Sequence, residues 1–199
     1  MSVTAAILLA ASGATVEGTP LALLPWDGDD TLIEWQIEAL RTAGCDVIEV
    51  VLGSDAERLI PLVARDDVEP IVHGAWHTDP EAAVRVGAVA TPRDTLTAVI
   101  AGLAQPRPPA LLRELLDAHA DGGAPLTRPV YDGTPGWPVI VDAEVLSEVR
   151  NSGAEPGGLQ AILDRHAPEM NRLEMGEIVL LSIEDAGGAR RLRELTAGG

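Results

Sequence analysis

The residues from Leu9 to Trp26 have the outline of a loop that binds phosphate. An apolar run leads into small residues, two glycines at Gly13 and Gly18, and a proline, after which the chain becomes apolar again. A loop of this kind can bring backbone N–H groups to the oxygens of a phosphate. Yet no Lys, Arg or His lies between Leu9 and Trp26. The segment therefore has the shape of a phosphate site but lacks the cations that phosphoryl chemistry uses.

The charge of the whole chain also opposes an anionic ligand. The 199 residues include 31 Asp and Glu against 14 basic residues, all of them Arg, so the formal net charge is −17. A surface this acidic repels nucleic acid and anionic membranes, and it opposes a nucleoside triphosphate unless a local pocket reverses the field. We therefore expect neither nucleic acid nor a membrane as a partner. GC-rich coding would equally account for the absence of Lys.

Cysteine usage and hydropathy limit the class of protein. Cys45 is the single cysteine, which excludes an internal disulfide and a cysteine-based metal site. No apolar run approaches the roughly 18 residues of a membrane span, and no basic leader precedes the first apolar run. We expect a cytoplasmic protein in which residues 1–199 form one domain.

Alternating strands and helices must position the opening loop. The apolar patterns predict strands at 2–12, 46–53, 69–74, 95–104, 128–133, 137–142 and 176–183, and helices at 29–45, 55–65, 79 onwards, 108–120, 142–150, 158–167 and 186–195. This order predicts an α/β fold, a three-layer α/β/α sandwich around a mostly parallel twisted sheet. Ligands in such folds bind beyond the carboxyl ends of the strands.

Four loops follow predicted strand ends and are candidates for ligand binding, and one further segment has the composition of an insert. The loops follow Ala11, Gly53, Gly74 and Ala104. The insert, residues 118–127, has the composition of a lid or of a plain loop.

Capping signals mark where two helices begin. Thr31 and Glu34 have the spacing of a capping box, and Gly44 is placed to end that helix. Asp79 can cap a short helix whose first position is Pro80.

The opening segment resembles the MobA-like nucleotidyltransferases, whose first motif is close to LAAGxxxRMGxPKxLLPW. Further segments are similar to later family motifs: AAVRVGA, LAQPRP, GWPVI, GGLQAILDRH and LLSIEDAGGARRL. The family transfers a nucleotidyl group to molybdenum cofactor and related small phosphorylated acceptors. The resemblance implies a Rossmann-like fold of the nucleotide-diphospho-sugar-transferase kind. It also implies a nucleotide-binding loop of Ala10, Ala11, Ser12, Gly13 and Gly18, and an acceptor-side pocket of Gly136, Trp137 and Pro138.

The departures from the family pattern fall on its chemical residues. The motif Arg is Val16, the motif Lys is Leu21, the first loop Gly is Ser12, the metal-holding Asp is Ala104, the His before proline is Trp137, and two closing Asp positions are Ser182 and Glu184. Losing one electrostatic group of this kind typically costs about 10²–10³ in rate. We therefore expect no catalytic residues and no metal site.

The favoured interpretation is an eroded active site in a non-catalytic or weakly active protein. Such a protein would be a regulatory or scaffolding relative linked to molybdenum cofactor metabolism, associating with a homologous enzyme or with itself. One alternative is an active Mg²⁺-dependent nucleotidyltransferase that uses CTP or GTP, with Arg85 as the compensating cation, or with Arg107 or Glu184 as the compensating group. Another is a small-molecule module that binds a nucleoside or a pterin. Trp137 would either stack on such a ligand or fill the space of a lost substrate.

Overall fold

The computed structural model describes residues 3–153 and 157–197. Its strands, in chain order, are β1 (Val3–Ala10), β2 (Thr15–Val16), β3 (Thr19–Pro20), β4 (Pro25–Asp27), β5 (Asp30–Thr31), β6 (Val47–Leu52), β7 (Val68–Val72), β8 (Thr95–Gly102), β9 (Leu126–Tyr131), β10 (Thr134–Pro135), β11 (Val139–Asp142) and β12 (Asn171–Glu174). Its helices are α1 (Leu32–Ala43), α2 (Ala56–Val63), α3 (Ala82–Ala90), α4 (Pro109–Gly122), α5 (Ala143–Asn151), α6 (Gly158–His166) and α7 (Ala186–Thr196).

One mostly parallel sheet forms the centre of the fold, in the strand order β10-β9-β11-β8-β1-β6-β7, with β12 paired to β9. Strands β8, β1, β6 and β7 run parallel to one another, whereas β11 is antiparallel to both of its neighbours. Strand β1 lies in the middle, and residues 5–8 of it are completely buried. Its continuous apolar run is therefore that of a strand covered on both faces.

Helices cover both faces of the sheet. Apolar residues of α1, α2, α4 and α7 pack on one face, and those of α3, α5 and α6 pack on the other. The predicted three-layer α/β/α sandwich is confirmed. None of the described helices is long and apolar enough to cross a membrane.

The capping prediction for α1 is correct, and the one for α3 is displaced. The Glu34 carboxylate accepts hydrogen bonds from the backbone N–H and the hydroxyl of Thr31, and Gly44 ends α1 with φ 114°. Helix α3 begins at Ala82, three residues after Asp79. The N–H of Ala82 donates to the backbone carbonyl of Asp79, so Asp79 forms a turn ahead of the helix rather than capping it.

Two sequence-based predictions near the end of the chain are wrong. Residues 176–183 do not form a strand; Glu177–Leu180 is a 3-10 turn, and the strand of this region is β12. This turn directs the Val179 carbonyl to the N–H of Trp137. Residues 118–127 contain no long insert, because α4 continues to Gly122 and β9 begins at Leu126.

Candidate functional site at the carboxyl end of the sheet

The loop after β1 folds back on itself as a small hairpin. Strands β2 and β3 pair, and the turn between them places Glu17 at φ 50° and Gly18 at φ 81°. Positive φ suits glycine, so Gly18 serves the turn. The N–H of Leu21 donates to the Ala14 carbonyl at 2.9 Å and closes the loop.

The two loop positions at which the resemblance places cations belong to the core. Val16 and Leu21 are buried, with 8% and 4% exposure, in the apolar cluster that includes α1 and α2. The cavity beside Ser12, Gly13 and Leu21 has a volume of about 10 Å³. This is room for one water molecule at most. The acidic residue Asp55 also lines it, and its carboxylate forms an ion pair with Arg58 at 3.1 Å.

Trp76 covers the loop, a feature that sequence reasoning missed. A Cβ added to Gly13 would lie 3.1 Å from the Trp76 ring. A Cβ added to Gly53 would lie 2.2 Å from the Ala11 carbonyl oxygen and 2.7 Å from the Cβ of Trp76. Glycine at both positions therefore allows the indole to pack against the loops that follow β1 and β6. The available signal was a tryptophan in a loop that the topology had already singled out, the one containing Gly74.

Neighbouring histidines support the Trp76 loop. His73 is buried, and its Nε2 lies 2.8 Å from the backbone carbonyl of Asp79. The exposed His77 meets the Trp76 ring edge-on, with centroids 5.4 Å apart. These contacts join residues within the segment between β7 and α3.

The loop after β8 meets the closing segment of the chain. The Ala104 carbonyl accepts a hydrogen bond of 2.7 Å from the N–H of Ile183. Beside it, Nε2 of Gln105 donates to Oγ of Ser182 at 3.2 Å. Glu184 is exposed. The structure thus brings the Ala104 and Ser182 segments together, with neutral groups at both positions.

Arg107 is a buried cation that supports the backbone. Its guanidinium donates to the carbonyls of Pro106, Trp137, Val179 and Leu181 at 2.9–3.0 Å. Burial lowers the pKa of Arg107 to about 9, which leaves it charged at neutral pH. Since these carbonyls take its donors, Arg107 joins the β8–α4 loop to the 3-10 turn and is not directed at the opening loop.

The Gly136–Trp137–Pro138 segment is held by a second buried arginine, Arg128, which sequence reasoning also missed. Arg128 donates to the Gly136 carbonyl at 3.0 Å, and its guanidinium lies 5.8 Å from the centre of the Trp137 ring. A Cβ at Gly136 would lie 2.4 Å from the Val179 carbonyl. Trp137 packs on the apolar cluster of α3, α5 and α6, to which Leu9 and Ala11 also pack. The indole thus fills space on that face of the sheet.

Arg85 lines a different cavity from the one beside the opening loop. It lines a cavity of about 170 Å³ between α3, α5 and α6, together with Asp79 and Glu81, and its Nε is buried without a partner. An adjoining cavity of about 240 Å³ reaches Leu9 and Gly158. Arg85 lines neither that cavity nor the one beside Ser12.

The family model of the MobA-like NTP transferase domain matches residues 6–170. The chain belongs to this family. No curated protein matches the sequence. Among solved structures, Rv0371c from Mycobacterium tuberculosis H37Rv is 24% identical, with a TM-score of 0.79 over 97% of this chain and 98% of that one.

Two further MobA-like neighbours have the same fold. A complex of the Mycobacterium tuberculosis Rv0371c protein with manganese has 24% identity and a TM-score of 0.76, over 98% of this chain and 99% of the other. A nucleotidyl transferase from Methanothermobacter thermautotroptrophicus, Mth528, has 20% identity and a TM-score of 0.79, over 98% of each chain. At these identities the likeness extends to the fold.

The residues at the MobA-like metal position do not fit Mg²⁺. This ion takes oxygen ligands and is usually held by one or two carboxylates in addition to substrate phosphates. Ala104 offers a methyl group, and the hydroxyl of Ser182 is engaged by Gln105. Within residues 3–153 and 157–197, no three His, Cys, Asp or Glu side chains are grouped so that they could hold a metal ion.

Proposed function

We propose that this MobA-like protein does not catalyse nucleotidyl transfer and acts as a non-catalytic member of its family. The observation that carries the proposal is the hydrogen bond from Gln105 to Ser182 beside Ala104. Nucleotidyl transfer brings two anions together and releases pyrophosphate, so it depends on positioning and charge neutralisation. A methyl group and an amide–hydroxyl pair supply no carboxylate for the cation that neutralises this charge.

The electrostatics of the loop support the same proposal. Val16 and Leu21 are core residues, so the positions expected to carry cations contribute to packing. Arg107 gives its donors to carbonyls, and Asp55, which lines the loop cavity, is paired with Arg58. A triphosphate at Ser12–Gly13 would therefore meet backbone amides and an acidic residue that already holds its own cation.

A second candidate function is the binding of a small neutral ligand. The observation that favours it is the 240 Å³ cavity lined by Leu9, Pro80, Glu81 and Leu159, which adjoins the cavity of Arg85. It is smaller than the roughly 300–1,000 Å³ of most drug-sized ligand pockets, so a free nucleoside or a pterin is a better match than a nucleotide. The link to molybdenum cofactor metabolism and a homologous enzyme as partner stay predictions from the family resemblance.

Pyrophosphate release tests the proposal. The full chain is incubated with CTP, GTP or ATP, with Mg²⁺ or Mn²⁺, and with a molybdopterin-type acceptor. The expected rate equals that of a protein-free control, and added pyrophosphate verifies detection. Turnover that disappears in Arg85→Ala would contradict the proposal and support an enzyme with a displaced cation. Saturable binding of a free nucleoside or pterin, without turnover, would support the second candidate function.

A further inference from the structure

A buried carboxylate with one unpartnered oxygen lies toward the opposite end of the sheet. Glu49 is on β6, and its residue surface is only 3% exposed. Its Oε2 is buried and accepts no hydrogen bond. Side chains alternate along a strand, so Glu49 shares a face with Val51, which packs under α3 at Gly87. A buried polar atom without a partner is costly to keep, which makes this position unusual.

Glu49 lines a cavity of about 450 Å³, larger than those at the carboxyl end. We call this cavity the acid pocket; its lining includes Glu49, Asp66, Glu69, Ile71, Ala90 and Pro92. Glu69 is the residue of edge strand β7 that pairs in register with Glu49, so both carboxylates lie on one face of the sheet. Ile71, Ala90 and Pro92 add apolar walls.

Within the described residues, these two carboxylates have no hydrogen-bonded cation, although the charge of Arg150 acts on Glu49. Arg150 on α5 donates instead to the carbonyls of Ala88, Thr91 and Pro92 at the end of α3. Among the described residues, neither Glu49 nor Glu69 forms an ion pair. The neighbouring carboxylate of Asp67 has its own partner, since Arg41 binds both of its oxygens at 2.6 and 2.7 Å.

The pocket's surroundings are acidic overall. Helix α3 ends at Ala90 and directs the negative end of its dipole to this end of the sheet, where Arg150 already binds its last carbonyls. The net charge of −17 adds a long-range attraction for cations. The described part of the chain has no three acidic or histidine side chains placed to hold a metal ion. An organic cation, which needs one carboxylate as acceptor and apolar contact for its stem, fits these residues better.

We propose that the acid pocket binds an alkylammonium or alkylguanidinium group, with Glu49 accepting hydrogen bonds from the cationic head. Such a group is carried by small amines and by the Lys or Arg side chains of another protein. Glu69 adds a second negative charge, and Ile71 and Pro92 contact the methylene stem. This site is independent of the proposed function, because it lies at the other end of the strands from the opening loop.

Binding should depend on pH through Glu49. Burial, with a smaller contribution from Glu69, raises the pKa of Glu49 to about 7, while a backbone hydrogen bond and the charge of Arg150 oppose the rise. The carboxylates of Asp66 and Asp67 also line the pocket. A cation needs the ionised form, so affinity weakens as pH falls. A pKa near 7 implies a loss of about tenfold between pH 8 and pH 6.

Calorimetric titration of the full chain with agmatine, which has an ammonium and a guanidinium on an alkyl stem, tests the site. We expect saturable binding that weakens at least tenfold in Glu49→Gln. Glu114→Gln, an exposed change on α4 with the same loss of charge, should bind like the parent. Tetramethylammonium, which has no N–H donor, should not bind. Equal agmatine affinity in the parent and Glu49→Gln, or absence of binding, would overturn the proposal.

A second arm identifies the source of the cation. A short peptide with one central Arg and blocked termini is titrated alongside agmatine. Tighter binding of the peptide would assign the site to a side chain of a partner protein, and tighter binding of agmatine would assign it to a free amine. Both results support the acid pocket, provided that each is lost in Glu49→Gln. The melting temperature of each variant verifies that the fold is intact.

Discussion

The side-chain amide of Gln105 donates a hydrogen bond of 3.2 Å to the hydroxyl of Ser182, across the junction of the β8 loop and the closing segment. The MobA-like pattern has carboxylates at Ala104 and Ser182, and the junction is held instead by neutral groups. The adjacent hydrogen bond from Ile183 to the Ala104 carbonyl keeps the two segments in place. The junction between these two segments is thus built from neutral groups.

Restoring a family cation in the loop should damage the fold. Leu21→Lys places an ammonium where the leucine is 4% exposed in the core, and we expect a loss of about 2–5 kcal/mol in the free energy of unfolding. Urea denaturation measures it. The control is Leu195→Lys, at a residue with 42% exposure, which should change stability by less than about 0.5 kcal/mol. A Leu21→Lys protein as stable as the parent would mean that position 21 opens onto a cleft.

A methyl group at Gly53 should be poorly tolerated. Its Cβ would lie 2.2 Å from the Ala11 carbonyl, which belongs to the backbone and cannot rotate away. We expect Gly53→Ala to cost about 1–3 kcal/mol, the range for overpacking. Gly74→Ala is the matched control, since a Cβ there meets nothing within 4 Å. Thermal unfolding compares the two. Equal melting temperatures would contradict the close approach of the β1 and β6 loops under Trp76.

The free energy of unfolding should depend on pH through the buried carboxylate of Glu49. Its pKa is about 7 in the folded chain and 4.5 for an ordinary glutamate, so the folded state binds the proton more tightly. Stability is therefore lost as pH rises between these values, and the full penalty is present above pH 7. Glu49→Gln removes this penalty, because the amide does not ionise. The free energy of unfolding of the variant, relative to that of the parent, should therefore rise by on the order of 3 kcal/mol between pH 4 and pH 8.

Urea unfolding at several pH values measures this gain, with Glu114→Gln as the control. A difference between Glu49→Gln and the parent that does not change with pH would show that Glu49 titrates as an ordinary glutamate.

The sequence correctly predicts those elements whose local pattern fits only one type of secondary structure. The apolar run of β1 predicts a buried strand, and the Thr31–Glu34 spacing predicts the start of α1; the structure confirms both. Residues 176–183 were misjudged because a short apolar run also fits a 3-10 turn. Tertiary contacts decide between the two, since the carbonyls of Val179 and Leu181 bond to Arg107.

The covering of the opening loop could not be predicted for a related reason. Trp76 contacts Gly13 and Gly53 only because β1, β6 and β7 lie side by side, so their following loops meet. The local sequence of each loop does not indicate how close these loops come to one another. The acid pocket could not be predicted from the sequence either. Glu49 appears there only as a charged residue in an apolar strand, and Glu69, which pairs with it in the sheet, is 20 positions away.

Binding of Mn²⁺ in the presence of CTP, followed by electron paramagnetic resonance, tests the central claim that the cleft does not support nucleotidyl transfer. The double variant Ala104→Asp, Ser182→Asp restores two carboxylates at adjacent positions and serves as the positive control. The account predicts that the double variant binds Mn²⁺ saturably, while the parent gives the spectrum of Mn²⁺–CTP in a protein-free solution. Saturable Mn²⁺–CTP binding by the parent, abolished by Gly13→Asp, would contradict the account and place a working metal–nucleotide site beside the opening loop.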